Sequence, residues 1–139
     1  MMSFESTRHV DWGDCDAAGI VFYPNYFRWM DSVFHEMTRS LGFDQNSLPG
    51  FGIHATPLID VGAQFHAPVS HGNELVVTAC ITRLGRSGFT VRYRFSTTDQ
   101  RVAEGHENRV CITSDDQGRL SKIDIPDGIR ALLERHYEG

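Results

Sequence analysis

The most regular apolar pattern in this chain lies in its first third and has the spacing of an α-helix. Between Pro24 and Leu41, apolar side chains recur every three or four positions and so form one stripe. The stripe consists of Phe27, Met30, Phe34, Met37 and Leu41. Proline suits the first position of a helix, and Gly42 is typical of the position just after its end. The pattern therefore predicts a helix over residues 24–41 with one apolar face.

Further along the chain, apolar and polar residues alternate, which is the period of a β-strand. The predicted strands cover residues 4–12, 59–65, 75–82, 89–96 and 102–113. Short breaks at residues 85–88 and 98–100 are typical of hairpins, and residues 126–137 favour a short terminal helix. An antiparallel sheet with the long helix laid on its apolar face is the simplest arrangement. The sequence therefore predicts an α+β fold.

The composition narrows the class of protein. The chain has 139 residues, of which 40% are hydrophobic, and this is typical of a single globular domain over residues 1–139. Its net charge of −5 argues against a general nucleic-acid-binding protein, which needs a basic surface. Three cysteines do not make a disulfide framework, no run of apolar residues reaches the length of a membrane span, and we expect no signal peptide. We expect a cytoplasmic protein with no membrane partner.

The loop ahead of the long helix carries two carboxylates, Asp14 and Asp16. A helix begins with unpaired N–H groups and partial positive charge, and Pro24 has no N–H, so we expect Tyr23, Asn25 and Tyr26 to supply the free donors. A carboxylate facing such donors can activate water or attack a carbonyl while the donors hold the developing oxyanion. Loop acids more often bridge a turn or cap a helix, so both interpretations stay open from the residues alone.

The run GDCDAAGIVFYPNYFRWMD at residues 13–31 resembles the active-site signature of the 4-hydroxybenzoyl-CoA thioesterase family. The resemblance continues through Ala55-Thr56-Pro57 and the Arg-Ser-Gly-Phe turn at residues 86–89, and it spans about the whole chain. It implies a hot-dog fold, in which an antiparallel sheet wraps around one long central helix. It also implies an enzyme that hydrolyses acyl-CoA thioesters without a cofactor or a metal.

Position by position, the resemblance puts the family's catalytic carboxylate at Asp16, as nucleophile or general base, and its oxyanion donor at the backbone N–H of Tyr23. Asp31 matches the carboxylate that meets the ring hydroxyl of a 4-hydroxybenzoyl group, so a hydroxybenzoyl-type substrate is favoured. Asp14 has no such match and is expected to be structural. The resemblance also implies a homodimer that assembles to a homotetramer, with the active site between two subunits.

Two further segments match substrate-binding regions of the family. The implied substrate-binding residues are Thr56, Pro57, Leu58, Arg86, Ser87 and Gly88. Arginine binds phosphates through a planar fork, so Arg86, with Arg83 nearby, is expected to contact the CoA phosphates. A solvated hairpin turn is the alternative. Ser87 stands where the family's best-known member has lysine, which leaves the strength of the phosphate contact in doubt.

Other functions are weaker candidates. A hot-dog hydratase would need an Asp–His pair near the helix entrance, and no histidine occurs between His9 and His35. A general short- or medium-chain acyl-CoA thioesterase and a non-catalytic acyl-binding domain remain as alternatives. No motif around Cys15 favours a cysteine nucleophile, and the histidines form no dense metal-ligand pattern. The role of His54, two residues before Thr56, is left undecided.

Overall fold

The computed structural model describes residues 3–139 and contains two α-helices and seven β-strands in that range. The helices are α1 (Pro24–Leu41) and α2 (Asp127–Glu134). The strands are β1 (Phe4–His9), β2 (Leu58–Phe65), β3 (Glu74–Leu84), β4 (Gly88–Ser96), β5 (Arg101–Val110), β6 (Ile112–Ser114) and β7 (Leu120–Lys122). Single 3-10 turns form at Trp12–Asp14 and Leu48–Phe51.

Five of the strands form one antiparallel sheet in the order β1-β3-β4-β5-β2. Strands β3, β4 and β5 follow one another through short turns, while β1 and β2 join at the two edges. At the centre of this register Tyr93 lies between Ala79 and Gly105. The predicted α+β fold with an antiparallel sheet is confirmed. Strands β6 and β7 pair separately as a small hairpin.

Helix α1 begins and ends where the sequence predicts and packs its apolar stripe on the sheet. Met30, Phe34, Met37 and Leu41 are buried in the core. Gly105 permits this close approach, because a Cβ there would lie 2.6 Å from the Met30 sulfur. Gly42 ends the helix with φ of 111°, a left-handed conformation that favours glycine. The sheet and its central helix together fix the position of the loop that leads into α1.

Several predicted boundaries are wrong for local reasons. The predicted strand over residues 102–113 breaks at Cys111, because the Cys111 N–H bonds the carbonyl of Ser87 and the Cys111 carbonyl accepts from Ile123. The first strand ends at His9, since a capped 3-10 turn begins at Trp12. The terminal helix covers Asp127–Glu134 only. Strand β7 was not predicted, because three residues carry too little periodicity.

Edge strand β2 differs from the prediction in its burial. The alternating apolar face is not covered by the helix in a single chain: Ile59 is 64% exposed, Val61 43% and Phe65 47%. Within the described part of the chain strand β2 pairs only with β5, so its other edge has no neighbouring strand there. Among residues 3–139 no helix is long and apolar enough to cross a membrane.

Candidate active site

Asp16 begins a tight turn at the bottom of the loop that leads into α1. Its Oδ1 accepts a hydrogen bond of 2.8 Å from the Ala18 N–H, and its own N–H donates to the Ile20 carbonyl at 2.9 Å. Gly19 takes a left-handed φ of 81° to close the turn. The Asp16 side chain is exposed, and its Oδ2 has no partner among residues 3–139. One carboxylate oxygen is therefore fixed by backbone while the other is free to react.

Asp14, two residues earlier, is occupied by structural bonds. Its Oδ2 accepts from the Asp11 N–H at 2.9 Å, and its Oδ1 accepts from Arg28 at 3.2 Å. Its carbonyl receives the Asn25 side chain at 2.8 Å. These contacts cap the 3-10 turn and fasten the loop to the start of α1. Asp14 is thus a loop acid that bonds its own backbone, as the sequence predicts.

The helix entrance offers fewer free donors than expected. The predicted donors Asn25 and Tyr26 are wrong, because the Asn25 N–H bonds the Phe22 carbonyl at 2.9 Å and the Tyr26 N–H bonds the Tyr23 carbonyl at 3.1 Å. Pro24 has no N–H, and the Tyr23 N–H has no acceptor among residues 3–139. Tyr23 therefore carries the unpaired backbone donor at the positive end of α1.

Asp16 and Tyr23 line the same cleft, which has a volume of about 380 Å³. Its other lining residues are Ile20, Val21, Tyr26, Phe65, His66, Ala67, Pro68 and Val69. The ring of Tyr26 lies 5.1 Å from that of Phe65, and burial raises the pKa of Tyr26 to about 12. One concave surface is therefore lined by a residue with a free carboxylate oxygen, a residue with a free N–H and apolar side chains, and attack on a carbonyl uses groups of these kinds.

The other predicted site residues do not line this cleft. Asp31 lies two turns further along α1, where its Oδ1 accepts a hydrogen bond of 3.0 Å from Arg109. The Thr56 carbonyl accepts from the same guanidinium at 2.9 Å. Pro57 accepts a backbone bond from Val110, and Leu58 begins β2 and is 41% exposed. Within one chain the predicted residues thus form separate groups.

The predicted phosphate-binding turn connects β3 to β4, and of its three predicted residues Arg86 is exposed, Ser87 is partly buried and Gly88 is buried. The Arg86 side chain is 86% exposed, with its Nε 3.3 Å from Asp124. The Ser87 carbonyl accepts from Cys111. Gly88 is required for packing, because a Cβ there would lie 3.0 Å from the Arg109 carbonyl. The turn is therefore fixed by its backbone, and the Arg86 guanidinium remains accessible to an anion.

Sequence reasoning missed three functional candidates: Glu107, Arg109 and His66. Glu107 and Arg109 are buried in the C-terminal half of β5 and bond each other at 3.0 Å. Their only signal was the unusual polarity of the predicted strand over residues 102–113, which periodicity alone could not interpret. His66 lines the cleft and lies 3.3 Å from Glu104. No three His, Cys, Asp or Glu side chains within residues 3–139 are placed to hold a metal.

Comparison with known proteins connects this geometry to a family. A family model described as "Thioesterase superfamily" matches residues 18–104, which is more than half of the chain. The chain belongs to the thioesterase superfamily. Among its members, 4-hydroxybenzoyl-CoA thioesterase from Pseudomonas sp. (strain CBS-3) is 31% identical, with 89% of this chain and 92% of that protein covered. A 1,4-dihydroxy-2-naphthoyl-CoA hydrolase from Synechococcus sp. (strain WH7803) is 30% identical, with coverages of 96% and 90%.

Solved structures of the superfamily share the architecture. An aspartate-to-asparagine mutant of 4-hydroxybenzoyl CoA thioesterase, complexed with 4-hydroxybenzoyl CoA, is 30% identical with a TM-score of 0.87 and coverages of 96% and 99%. A gentisyl-coenzyme A thioesterase is 32% identical with a TM-score of 0.80, and the coverages are 94% of this chain and 99% of that one. The chain thus has the predicted hot-dog fold, and it is an enzyme that hydrolyses acyl-CoA thioesters.

Proposed function

We propose that this thioesterase acts on hydroxylated aroyl-CoA thioesters, with Asp16 as the catalytic carboxylate and the Tyr23 N–H as the oxyanion donor. The observation that carries the proposal is the shared cleft, which is lined by both Asp16, with its free Oδ2, and Tyr23, with its unpaired N–H. Removing one oxyanion donor typically costs about 2.7–4 kcal/mol of transition-state stabilisation. The Tyr23 N–H is therefore expected to contribute a large part of the rate.

The chemistry has two forms, which share the same groups. In the first, the Asp16 carboxylate attacks the thioester carbonyl, the C–S bond breaks, and the CoA thiolate leaves and takes up a proton. Water then hydrolyses the resulting mixed anhydride to the free acid. In the second, Asp16 accepts a proton from a water molecule that attacks the carbonyl directly. In both, the Tyr23 N–H stabilises the negative charge that develops on the carbonyl oxygen.

The aromatic preference rests on Asp31 and on the relatives. A carboxylate is a strong acceptor for a phenol O–H, and the Asp31 side chain is 53% exposed and so accessible to one. The relatives named above act on 4-hydroxybenzoyl-CoA and 1,4-dihydroxy-2-naphthoyl-CoA, which are both hydroxylated aromatic thioesters. Thr56, Pro57 and Leu58 are proposed to border the acyl group. Arg86, with Ser87 and Gly88, is proposed to contact the CoA phosphates.

We also propose that the chain assembles into a homodimer and then a homotetramer, with the active site between two subunits. In one chain Asp31 and Thr56 lie outside the cleft that holds Asp16, so a second copy is needed to bring both groups to one substrate. The exposed edge and apolar face of β2 offer a surface for that copy. A stable, active monomer in light scattering at micromolar concentration contradicts this assembly.

Thiol release from a panel of substrates tests the function. We expect kcat/KM to be highest for 4-hydroxybenzoyl-CoA or 1,4-dihydroxy-2-naphthoyl-CoA, lower for benzoyl-CoA, and lowest for octanoyl-CoA. A site that accepts a hydroxyl group loses binding when that group is missing, because its polar partner is left unpaired. If octanoyl-CoA is the best substrate, the enzyme is a general acyl-CoA thioesterase and Asp31 is a surface residue.

A further inference from the structure

A chain of buried polar groups runs from the centre of the sheet to the surface of α1. The Tyr93 hydroxyl donates to Glu107 Oε1 at 2.5 Å, and Arg109 Nε donates to the same oxygen at 3.0 Å. These three residues are almost fully buried, with Glu107 1% and Arg109 4% exposed. The chain continues through Arg109 to Asp31 and to the Thr56 carbonyl. We call these five residues the Arg109 cluster.

The guanidinium of Arg109 is held on every side. Its Nε is occupied by Glu107, its Nη1 by the Thr56 carbonyl and its Nη2 by Asp31, while its carbon lies 3.8 Å from the centre of the Phe34 ring. Burial alone would lower the pKa of Arg109, but the bond and the charge of Glu107, together with Tyr93 and Asp31, outweigh burial and raise it. A charged, planar and immobile fork therefore contacts two residues of the proposed acyl site.

The outer end of the cluster is not explained by stability. A buried pair such as Glu107 and Arg109 needs mutual contact, because an unpaired buried charge is strongly destabilising. The link to Asp31 is different, since its side chain is 53% exposed and ion pairs near water contribute little to folding. Oδ1 of Asp31 receives the bond from Arg109, and Oδ2 has no partner within residues 3–139. The link fixes the carboxylate and leaves one oxygen for a ligand.

We propose that Arg109 is a positioning residue that sets the enzyme's discrimination for a ring hydroxyl through its bond to Asp31, while its bond to the Thr56 carbonyl helps to hold the guanidinium in place. This inference rests on the proposed function, because it assigns Asp31 to the substrate hydroxyl. Arg109 holds Asp31 Oδ1, so Oδ2 keeps one orientation and accepts the phenol O–H without first losing side-chain freedom. The buried Tyr93–Glu107 pair fixes Arg109 in turn. Burial and Glu107 raise the pKa of Tyr93 well above its usual value, so the tyrosine stays a donor.

The test compares kcat/KM for 4-hydroxybenzoyl-CoA with kcat/KM for benzoyl-CoA in Arg109→Lys. Lysine keeps the charge, but its single ammonium cannot hold Glu107, Thr56 and Asp31 in one plane. We expect the ratio of the two values to fall about tenfold, the scale of a hydrogen bond to a charged group. A merely structural role would lower both values together and leave the ratio unchanged. Circular dichroism and thermal unfolding check that the variant folds.

Two more variants keep the test decisive if Arg109→Lys does not fold. Tyr93→Phe removes one hydroxyl and almost no volume, and we expect a smaller fall in the same ratio. In an Asp31→Ala background, either change should lower the ratio no further, because both act through Asp31. Arg92→Lys is the matched control: it lies on β4, half-exposed and 3.4 Å from Glu104, and should leave the ratio unchanged.

The outcomes separate this inference from the proposed function. If the wild type does not distinguish the two substrates, the proposed substrate is wrong and the role of Arg109 falls with it. If the wild type discriminates but folded Arg109→Lys and Tyr93→Phe keep its ratio, only the role of Arg109 is overturned. That role is also overturned if the ratio falls as far in the Asp31→Ala background as in the wild-type background.

Discussion

Asp16 lies in an exposed turn and is held by neighbours within four residues of it. Arg109, in contrast, is buried and is held by Glu107 on its own strand and by two distant segments, through Asp31 of α1 and the Thr56 carbonyl. The loop that carries Asp16 is held by backbone hydrogen bonds, and its turn needs glycine at position 19, which has a left-handed φ. The Arg109 cluster uses side chains from α1, β4 and β5 together with the Thr56 carbonyl. One region is built locally and the other by the whole sheet.

This difference fits two separate roles, in which the Asp16 loop supports the reaction and the Arg109 cluster selects the substrate. An exposed turn with a free carboxylate oxygen is open to substrate and water, which the reaction needs. A buried network is rigid, and rigidity suits the choice between substrates that differ in one hydroxyl group. We therefore expect changes in the Asp16 loop to alter rate for every substrate, and changes in the Arg109 cluster to alter the ranking of substrates.

The largest effect is expected from Asp16→Asn. The amide keeps the size of the side chain but removes the nucleophile or base, so kcat should fall by at least about a hundredfold for all substrates of the panel. Thiol-release assays measure this, and circular dichroism checks the fold. Asp14→Asn is the matched control, since Asp14 is engaged with Asp11 and Arg28 and should keep most of the activity. Near wild-type turnover in Asp16→Asn shows that the assignment is wrong.

A smaller effect is expected from Arg86→Ala, which lies outside both regions. The change removes an exposed charge far from the reacting carbonyl, so KM should rise by about two- to fivefold with kcat little changed. Added salt should raise the KM of the wild type toward that of the variant, because salt screens exposed charges. Arg119→Ala, at an equally exposed turn, is the control. If the KM of Arg86→Ala is unchanged, Arg83 is the next candidate for the contact with the CoA phosphates. Arg83 bonds Thr90 at 3.2 Å.

The ion pair between Arg8 and Glu36 tests stability without touching either region. It joins β1 to α1, and Ser6 donates a further bond of 2.6 Å to Glu36. Burial would raise the pKa of Glu36, but the bonds from Ser6 and Arg8 lower it below 4.5. Because the pKa of Glu36 is lower in the folded protein than in the unfolded chain, its ionised form stabilises the fold at any pH above the pKa of the unfolded chain. This contribution is lost as the pH falls through the pKa of the folded protein.

Glu36→Gln should therefore lower the free energy of unfolding at pH 7 by at most about 1 kcal/mol, since the side chain is partly exposed. The difference from the wild type should disappear in acid, below the lowered pKa. Urea unfolding at pH 7 and in acid measures the difference in the free energy of unfolding. Glu5→Gln is the control, because Glu5 is an exposed residue of β1. A difference that persists or grows in acid would mean that the lost stability does not come from the ionised Glu36.

The smallest effect is expected at Cys15, next to the proposed catalytic carboxylate of Asp16. Cys15→Ser should leave kcat/KM within about twofold of the wild type, because the one hydrogen bond of the Cys15 thiol within residues 3–139 goes to the Asp11 carbonyl, at 3.6 Å, which a hydroxyl can also reach. The same substrate panel measures this. A large loss of activity in this variant would support a nucleophilic role for Cys15 and would contradict the expectation that its neighbour Asp16, and not Cys15, takes part in the reaction.

What could be predicted from the sequence follows the same division between local and distant structure. Helix α1 and the Asp16 turn depend on residues close together in the chain, so periodicity and one continuous motif indicated both. The Arg109 cluster depends on positions 31, 56, 93, 107 and 109, and no local pattern joins them. The helix-entrance donors were overcounted because the backbone bonds of Asn25 and Tyr26 are set by how the loop enters α1. The exposure of β2 follows from its place at the sheet edge.

The proposed oxyanion donor is a backbone N–H, and this has a consequence for how substrate range can be engineered. Any residue except proline presents an N–H at position 23, so the side chains there can be diversified without deleting the donor. Tyr23 is 60% exposed and its neighbour Phe22 is 49% exposed, so neither is fixed by the core. A combinatorial library at these two positions can therefore change the surface at and beside the cleft while the proposed catalytic groups are kept.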